Sequence, residues 1–307
     1  MKEKIGEVIL DGTYYPGEDL YSDGVIEDRI LELVSTHTTE EYNELIAQSK
    51  DWAILYHLSH LRGNIVDWLP IGSGDTVLEV GSGCGAVTGA LSAMAQKVTC
   101  IELSKKRSLI NANRNAKCSN IEILLGNFEE VEPHLPQRYD WITLIGVFEY
   151  ARGYIHTEDP YVDFIKTMKR HLTPGGKIVI AIENRLGLKY FAGCTEDHTG
   201  VLFEGIEGYR DETLVRTFSK PELEAMMQRA GFDNYTFYYP YPDYKLPLSI
   251  YSDEYLPTPG DLRNNQNNFD RRRLQLFDEA SAFDSIINSG LFPVFSNSFL
   301  VVLEGEA

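Results

Sequence analysis

No apolar run in this 307-residue chain approaches the ~20 residues that a bilayer span requires. The opening stretch MKEKIGEVILDGTYYPGED has no apolar core of the kind a signal peptide carries, so a cytoplasmic protein without membrane insertion is expected. Cysteine is scarce. Cys84, Cys100, Cys118 and Cys194 form no C-x-x-C pair, which speaks against a zinc site and a disulfide framework and leaves reduced thiols as the expectation. Positive charge is scarce too: 28 Lys and Arg face 46 Asp and Glu, a formal net charge of −18. Such a chain repels polyanions, so no nucleic-acid partner is expected. Arg271, Arg272 and Arg273 are the local exception, read as a solvated helix face answered by Asp270, Asp278 and Glu279. No internal repeat is visible, and the length suits one large α/β domain with additions or two small domains.

What is present centres on residues 76–90, TVLEVGSGCGAVTGA. Val77, Leu78 and Val80 suit a buried strand, whereas Gly81, Gly83 and Gly85 permit positive φ and close backbone approach at the turn that follows. Amides at the start of the next helix favour a carboxylate or a phosphate there. Gly81, Gly83 and Ala86 also spell the dinucleotide fingerprint G-x-G-x-x-A, with Glu102 ending the second strand. Glu79 separates the two readings. An acid at the end of the first strand gains nothing beside a pyrophosphate but suits a ligand bearing an ammonium group.

The run Glu79-x-Gly81-x-Gly83-x-Gly85 resembles motif I of the class I S-adenosylmethionine-dependent methyltransferases. The resemblance implies a Rossmann-like, seven-stranded, mostly parallel sheet with an antiparallel last strand. It also implies S-adenosylmethionine as cofactor and S-adenosylhomocysteine as product. Glu79, Gly81, Ser82, Gly83 and Gly85 then flank the methionine part. Glu102 with Leu103 holds the ribose, Asn127 with Phe128 flanks the adenine where the family more often has an acid, and Gly146 closes the fourth strand beside the turn. The alternatives are a NAD-dependent oxidoreductase, and a binding module of the same fold without turnover.

Along the chain, residues 1–37 read as a packed arm or a cover over the cofactor, the two left open. A capping box, Thr38-x-x-Glu41, opens a helical region towards Leu69, so residues 1–70 form an N-terminal arm and helical cover, with the methyltransferase domain over 71–307. Further strands are expected at 98–101, 121–125, 141–145, 178–182, 235–239 and 299–303, with helices opened by Ser104, by Asp159-Pro160, by Ser219-x-x-Glu222 and at 271–287. The turn Leu172-Thr173-Pro174-Gly175-Gly176 before the fifth strand is a second feature shared with the methyltransferases. The stretch at about 184–217, which lacks clean periodicity, and residues 241–296 are expected to be acceptor-site insertions.

Methyl transfer from a sulfonium is an in-line displacement in which orientation supplies on the order of 7 to 11 kcal/mol. A hydroxyl acceptor adds the need for a base, for which a His with a carboxylate partner is the natural type. Glu196-Asp197-His198 offers that combination within the first unpatterned stretch, its other reading being a solvated polar loop. Glu149 and Glu183, at the ends of strands four and five, are the other carboxylates expected at the pocket. His156 is a lesser candidate, and His57 and His171 read as structural or exposed helix residues. Tyr241 and Tyr244 suit stacking on a sugar or aromatic acceptor, or local packing. No metal is required in this scheme.

Five runs carry a narrower likeness: Tyr56-His57-Leu58-Ser59, Gly146-Val147-Phe148-Glu149-Tyr150, residues 182–191 (IENRLGLKYF), Glu196-Asp197-His198 and residues 242–247 (PDYKLP). In these the chain is similar to the methyltransferase domains found with bacterial cell-surface polysaccharide glycosyltransferases. That implies O-methylation of a sugar hydroxyl on a glycan or its precursor, with a small-molecule or glycan acceptor as partner.

Overall fold

The computed structural model describes residues 2–19, 24–135, 138–264 and 273–306. Tyr21 of the expected arm, Arg271, Arg272, Asp270 and part of the second expected insertion lie outside the described residues. The architecture is a Rossmann-like α/β fold, mostly parallel around the glycine motif, with ten described strands rather than seven. The chain divides into two compact units. One comprises 1–144, 171–177 and 306–307, and the other 145–170 and 178–305.

The first unit carries β1 (Lys2–Ile5), β2 (Val8–Tyr14), β3 (Thr76–Val80), β4 (Lys97–Glu102), β5 (Ile121–Gly126) and β6 (Tyr139–Ile145, of which Ile145 belongs to the second unit) in the order β1-β2-β5-β4-β3-β6. β3 lies between β4 and β6 and runs parallel to both, with Val77 beside Val98 and Trp141. Val77, Leu78 and Val80 are buried, as expected for a strand covered on both faces. Asp140 ties the base of this layer, accepting from the Thr76 amide at 2.8 Å and from Thr173 Oγ1 at 2.9 Å.

In the arm, whose packed and covering readings the sequence leaves open, residues 2–14 extend the sheet, β2 running parallel to β5 and antiparallel to β1. The exposed Lys2-Glu3-Lys4 edge hides this strand from pattern reading, because its charges blunt an edge instead of marking a buried face. Helices follow at Val25–Thr36, Tyr42–Ser49 and Trp52–Leu58. Ile30, Val34, Tyr42, Ile54 and Leu58 enclose Cys84 of the glycine turn and Ile110 in one apolar cluster. The Thr38–Glu41 capping box is formed.

The second unit carries β7 (Leu172–Glu183, its first residues belonging to the first unit), β8 (Tyr235–Tyr241), β9 (Ser249–Ser252) and β10 (Ser298–Glu304), in the order β7-β10-β8-β9. β10 is antiparallel to β8, the expected direction for the last strand. β7 is longer than the expected 178–182: it starts at Leu172 and passes through Gly175 at φ 72°, whose amide bonds to the Glu306 carbonyl. β9 went unread because Pro247 and the Tyr-rich surroundings gave no period of two. The helix expected over 271–287 is described from Glu279 to Asn288. Arg273 pairs with buried Glu279 instead of facing solvent. The Ser219–Glu222 capping box opens the helix Lys220–Arg229. Among the described residues, no helix is long and apolar enough to cross a membrane.

Candidate functional site

In the first unit the glycine turn leaves β3 where sequence reasoning put it. Gly81, Gly83 and Gly85 have φ of 70°, 52° and 76°, a region that penalises any side chain. The turn spends its amides internally, contrary to the expectation of exposed donors. Gly81 and Ser82 donate to the Ile101 carbonyl and Gly85 to that of Ser82. The Gly83 amide donates to Glu102 Oε2 at 2.7 Å, and the Ser104 amide donates to Oε1 at 2.9 Å. Glu102, at the end of β4, is thereby locked to the turn with lone pairs remaining for hydroxyl donors. Burial lifts its carboxyl above the ordinary range despite the backbone bonds and the Arg107 charge.

Glu79 is almost fully enclosed and accepts from Thr88 Oγ1 at 2.6 Å; Asn111 donates in turn to Thr88 at 3.0 Å. Burial pushes its carboxyl up to about 7, Thr88 and Cys100 only partly countering. The space fits a bound donor: a Cβ added at Gly83 would meet nothing within 4 Å, whereas one at Gly85 would lie 2.3 Å from Asn111 Oδ1. The turn is open at Gly83 and closed at Gly85. Gly85→Ala is therefore expected to destabilise the chain by about 1–3 kcal/mol, from overpacking together with positive φ. A melting point unchanged from wild type contradicts that. Leu103, Asn127 and Phe128 are half-buried, and Asn127 makes no side-chain cap bond to the helix Phe128–Val131 that it precedes.

In the second unit Gly146 follows β6 at φ 68°, its amide bonded to Ala181 and its missing Cβ replaced by Tyr244 Oη. Tyr244 and Tyr241 are buried, and Tyr241 donates to the Leu262 carbonyl; both pack locally, with no face left for stacking. The short helical turn Phe148–Tyr150 presents Glu149, β7 ends on Glu183, and the 184–217 segment brings back His198. One ligand-type atom from each of these three lies within 4.8 Å of the others. His198 Nε2 is 3.6 Å from Glu183 Oε2, and Tyr150 Oη is 3.2 Å from Nδ1. The carboxylate beside the imidazole is thus Glu183, and not its sequence neighbours.

Those neighbours do other work. Glu196 accepts the amides of His198 and Thr199, both at 2.7 Å, and the Tyr209 hydroxyl at 3.1 Å, which pins the turn. Asp197 bridges two buried ammoniums, Lys189 and Lys245, each at 2.9 Å. Lys189 also reaches Asp243 at 2.8 Å, and Lys245 pairs with Glu183 Oε1. Burial pushes Glu149 up to about 8, with the Glu183 charge adding to it. For Glu183 burial is outweighed by the Lys245 charge and by His198, which hold its carboxyl well below the usual range. Burial would lower His198, but Glu183 and then Glu149 raise it to about 9. Sequence reasoning missed Lys189, Lys245, Asp243 and Tyr150 as parts of the cluster, although all four lie in the runs that carry the narrower resemblance. His156 is exposed, His171 bonds Glu132 at 2.5 Å, and burial takes His57 down to about 3.

Residues 56–236 match the family described as a methyltransferase domain. The mouse tRNA (uracil-5-)-methyltransferase homolog A is 28% identical over 149 residues, 47% of this chain, and the chain spans 22% of that protein's length. Among solved structures, the Haloferax volcanii complex of the Trm112 methyltransferase activator with a methyltransferase aligns over 88% of this chain and 98% of that one, at 17% identity and TM-score 0.48. The Haemonchus contortus phosphoethanolamine N-methyltransferase 1, solved with phosphoethanolamine and S-adenosylhomocysteine, aligns over 94% of this chain and 50% of its own, at 13% identity and TM-score 0.47.

Proposed function

The chain belongs to the methyltransferase-domain family, of the class I kind with S-adenosylmethionine as cofactor, and we propose that it O-methylates a sugar hydroxyl of a cell-surface glycan or glycan precursor. The observation that supports this is the convergence on one buried polar cluster of runs 146–150, 182–191, 196–198 and 242–247, those in which the chain is similar to polysaccharide-associated methyltransferases. A hydroxyl must lose its proton, and the cluster holds an imidazole between a carboxylate and a phenol. His198 acts as the base in its neutral form, a minor fraction below about pH 9 because Glu183 and Glu149 favour the charged ring, so transfer should quicken as pH rises towards that value. Glu183 and Tyr150 orient the ring, and Glu149 lies beside the reacting oxygen. The protein is cytoplasmic in this reading, acting on precursors before export.

The donor is held by the first unit. Glu102 takes the ribose hydroxyls, Asn127 and Phe128 flank the adenine, and Glu79 favours the ammonium. Glu102→Ala is expected to weaken S-adenosylhomocysteine binding about ten- to a hundredfold, the loss of charge-assisted bonds worth about 1.5–3 kcal/mol. Unchanged affinity removes Glu102 from the ribose.

Glu79 gives a second test. Its carboxyl titrates near 7 in the free protein, and an arriving ammonium favours the ionised form, so binding releases a proton below that pH. Calorimetry in buffers of different ionisation enthalpy should show close to one proton released at pH 6 and almost none at pH 8, with the release absent in Glu79→Gln. No release at pH 6 contradicts the contact.

The test of function is transfer of a labelled methyl group from S-adenosylmethionine to a panel of oligosaccharide and nucleotide-sugar acceptors, with tRNA transcripts included. Label on a sugar oxygen supports the reading. Label in RNA alone, the acceptor class in the mouse relative's name, overturns it.

A further inference from the structure

Among the described residues, Glu149 Oε2, Glu183 Oε2 and His198 Nε2 are buried without a hydrogen-bond partner, His198 Nε2 and Glu183 Oε2 approaching each other only to 3.6 Å. Glu149 and Glu183 are 1% and 0% exposed, so water does not readily meet the need. Buried polar atoms are nearly always partnered, and three orphans on one spot point to a ligand that bonds to all of them. We propose that Glu149, Glu183 and His198 form a binding site for one divalent cation of the Mn²⁺ or Zn²⁺ class.

Geometry and donor chemistry agree with this. A cation with bonds of about 2.1 Å keeps its ligand atoms within about 4.2 Å of one another. The present atoms lie within 4.8 Å, so side-chain closure of roughly half an ångström suffices. An imidazole with two carboxylates suits Mn²⁺ or Zn²⁺ better than Mg²⁺, which prefers an all-oxygen shell with several waters. The surroundings already place the ligands. Lys245 holds Glu183 Oε1 and leaves Oε2 for the ion, while Tyr150 contacts Nδ1 and turns Nε2 towards the carboxylates.

The chemical consequence rests on the hydroxyl-acceptor reading above. The acceptor oxygen binds the cation, which lowers its pKa, and its proton leaves to solvent. The oxygen lone pair then forms the O–CH₃ bond as the S–CH₃ bond breaks, and the sulfonium departs as a neutral thioether. In the loaded state His198 is a ligand, and the cation replaces it in activating the hydroxyl.

The test is titration of the full chain with MnCl₂, free Mn²⁺ being followed by electron paramagnetic resonance, alongside a separate titration with S-adenosylhomocysteine. One Mn²⁺ per chain is expected, bound at least tenfold more weakly by Glu149→Gln and by His198→Ala. Pulsed resonance of the wild-type complex should show coupling of the ion to an imidazole nitrogen, which decides the matter if either variant fails to fold. No Mn²⁺ bound to a folded wild-type chain overturns the site, as does binding that shows neither a variant effect nor nitrogen coupling. A chain that binds S-adenosylhomocysteine but not Mn²⁺ overturns the cation site alone. The converse overturns the methyl-donor reading alone.

Discussion

Asp197→Ala is expected to cost about 3–5 kcal/mol of stability, the range for breaking a buried ion pair on one side. The Asp197 side chain is 4% exposed and bridges Lys189 and Lys245, with the Tyr190 hydroxyl as a third donor. Burial alone would lower both lysines; Asp197, ahead of Asp243 and Glu183, holds them well above the ordinary ammonium range. Truncation therefore takes from both ammoniums the carboxylate they share, leaving Asp243 to Lys189 and Glu183 to Lys245. The asymmetry between losing one partner and losing both supplies a control. Asp197→Ala with Lys189→Met should recover part of the loss, because an apolar replacement carries no uncompensated charge. Urea unfolding checks both variants, and a loss below about 1 kcal/mol for the single change would mean that solvent screens the pair.

His198→Ala is expected to lower methyl transfer by about 10² to 10⁴ on whichever acceptor takes label, the span typical of removing a positioned proton-transfer group. S-adenosylhomocysteine affinity should stay as in wild type, because the donor contacts are assigned to Glu79 and Glu102 and none to His198. That split between rate and donor affinity distinguishes lost chemistry from a damaged fold. Equal rates in variant and wild type at neutral pH would remove His198 from the chemistry, as base and as ligand. Combined loss of rate and donor affinity would instead indicate misfolding.

The donor half of the site was legible because its chemistry depends on short-range backbone constraints. Gly81, Gly83 and Gly85 all adopt the positive φ their residue type allows, and Glu102 meets the Gly83 amide across one strand spacing. The internal use of the turn's amides was not legible, since the Ile101 carbonyl reaches Gly81 and Ser82 only once β3 and β4 pair in register.

The acceptor half was legible as a set of residues but not as a set of partners. Glu149, Glu183 and His198 are brought together, yet the carboxylate beside His198 comes from 15 positions upstream, not from its immediate neighbours. Adjacent residues point different ways along an irregular loop, so Glu196 turned inward to bond amides and Asp197 to meet the lysines. Lys189 and Lys245 carry no local signal of burial. A lysine in sequence defaults to solvent, and only the fold supplies the carboxylates that enclose it. The edge strand β1 was hidden for a related reason, its charged face reading as an arm.

The central claim is that the glycine turn of β3, with Glu79 and Glu102, holds a methyl donor. Calorimetric titration of the wild-type chain with S-adenosylhomocysteine, with NAD run under the same conditions, tests it most directly. Micromolar binding of S-adenosylhomocysteine at one site per chain, with no heat from NAD, is the predicted result. Binding of NAD without S-adenosylhomocysteine would contradict the account and return the turn to a dinucleotide.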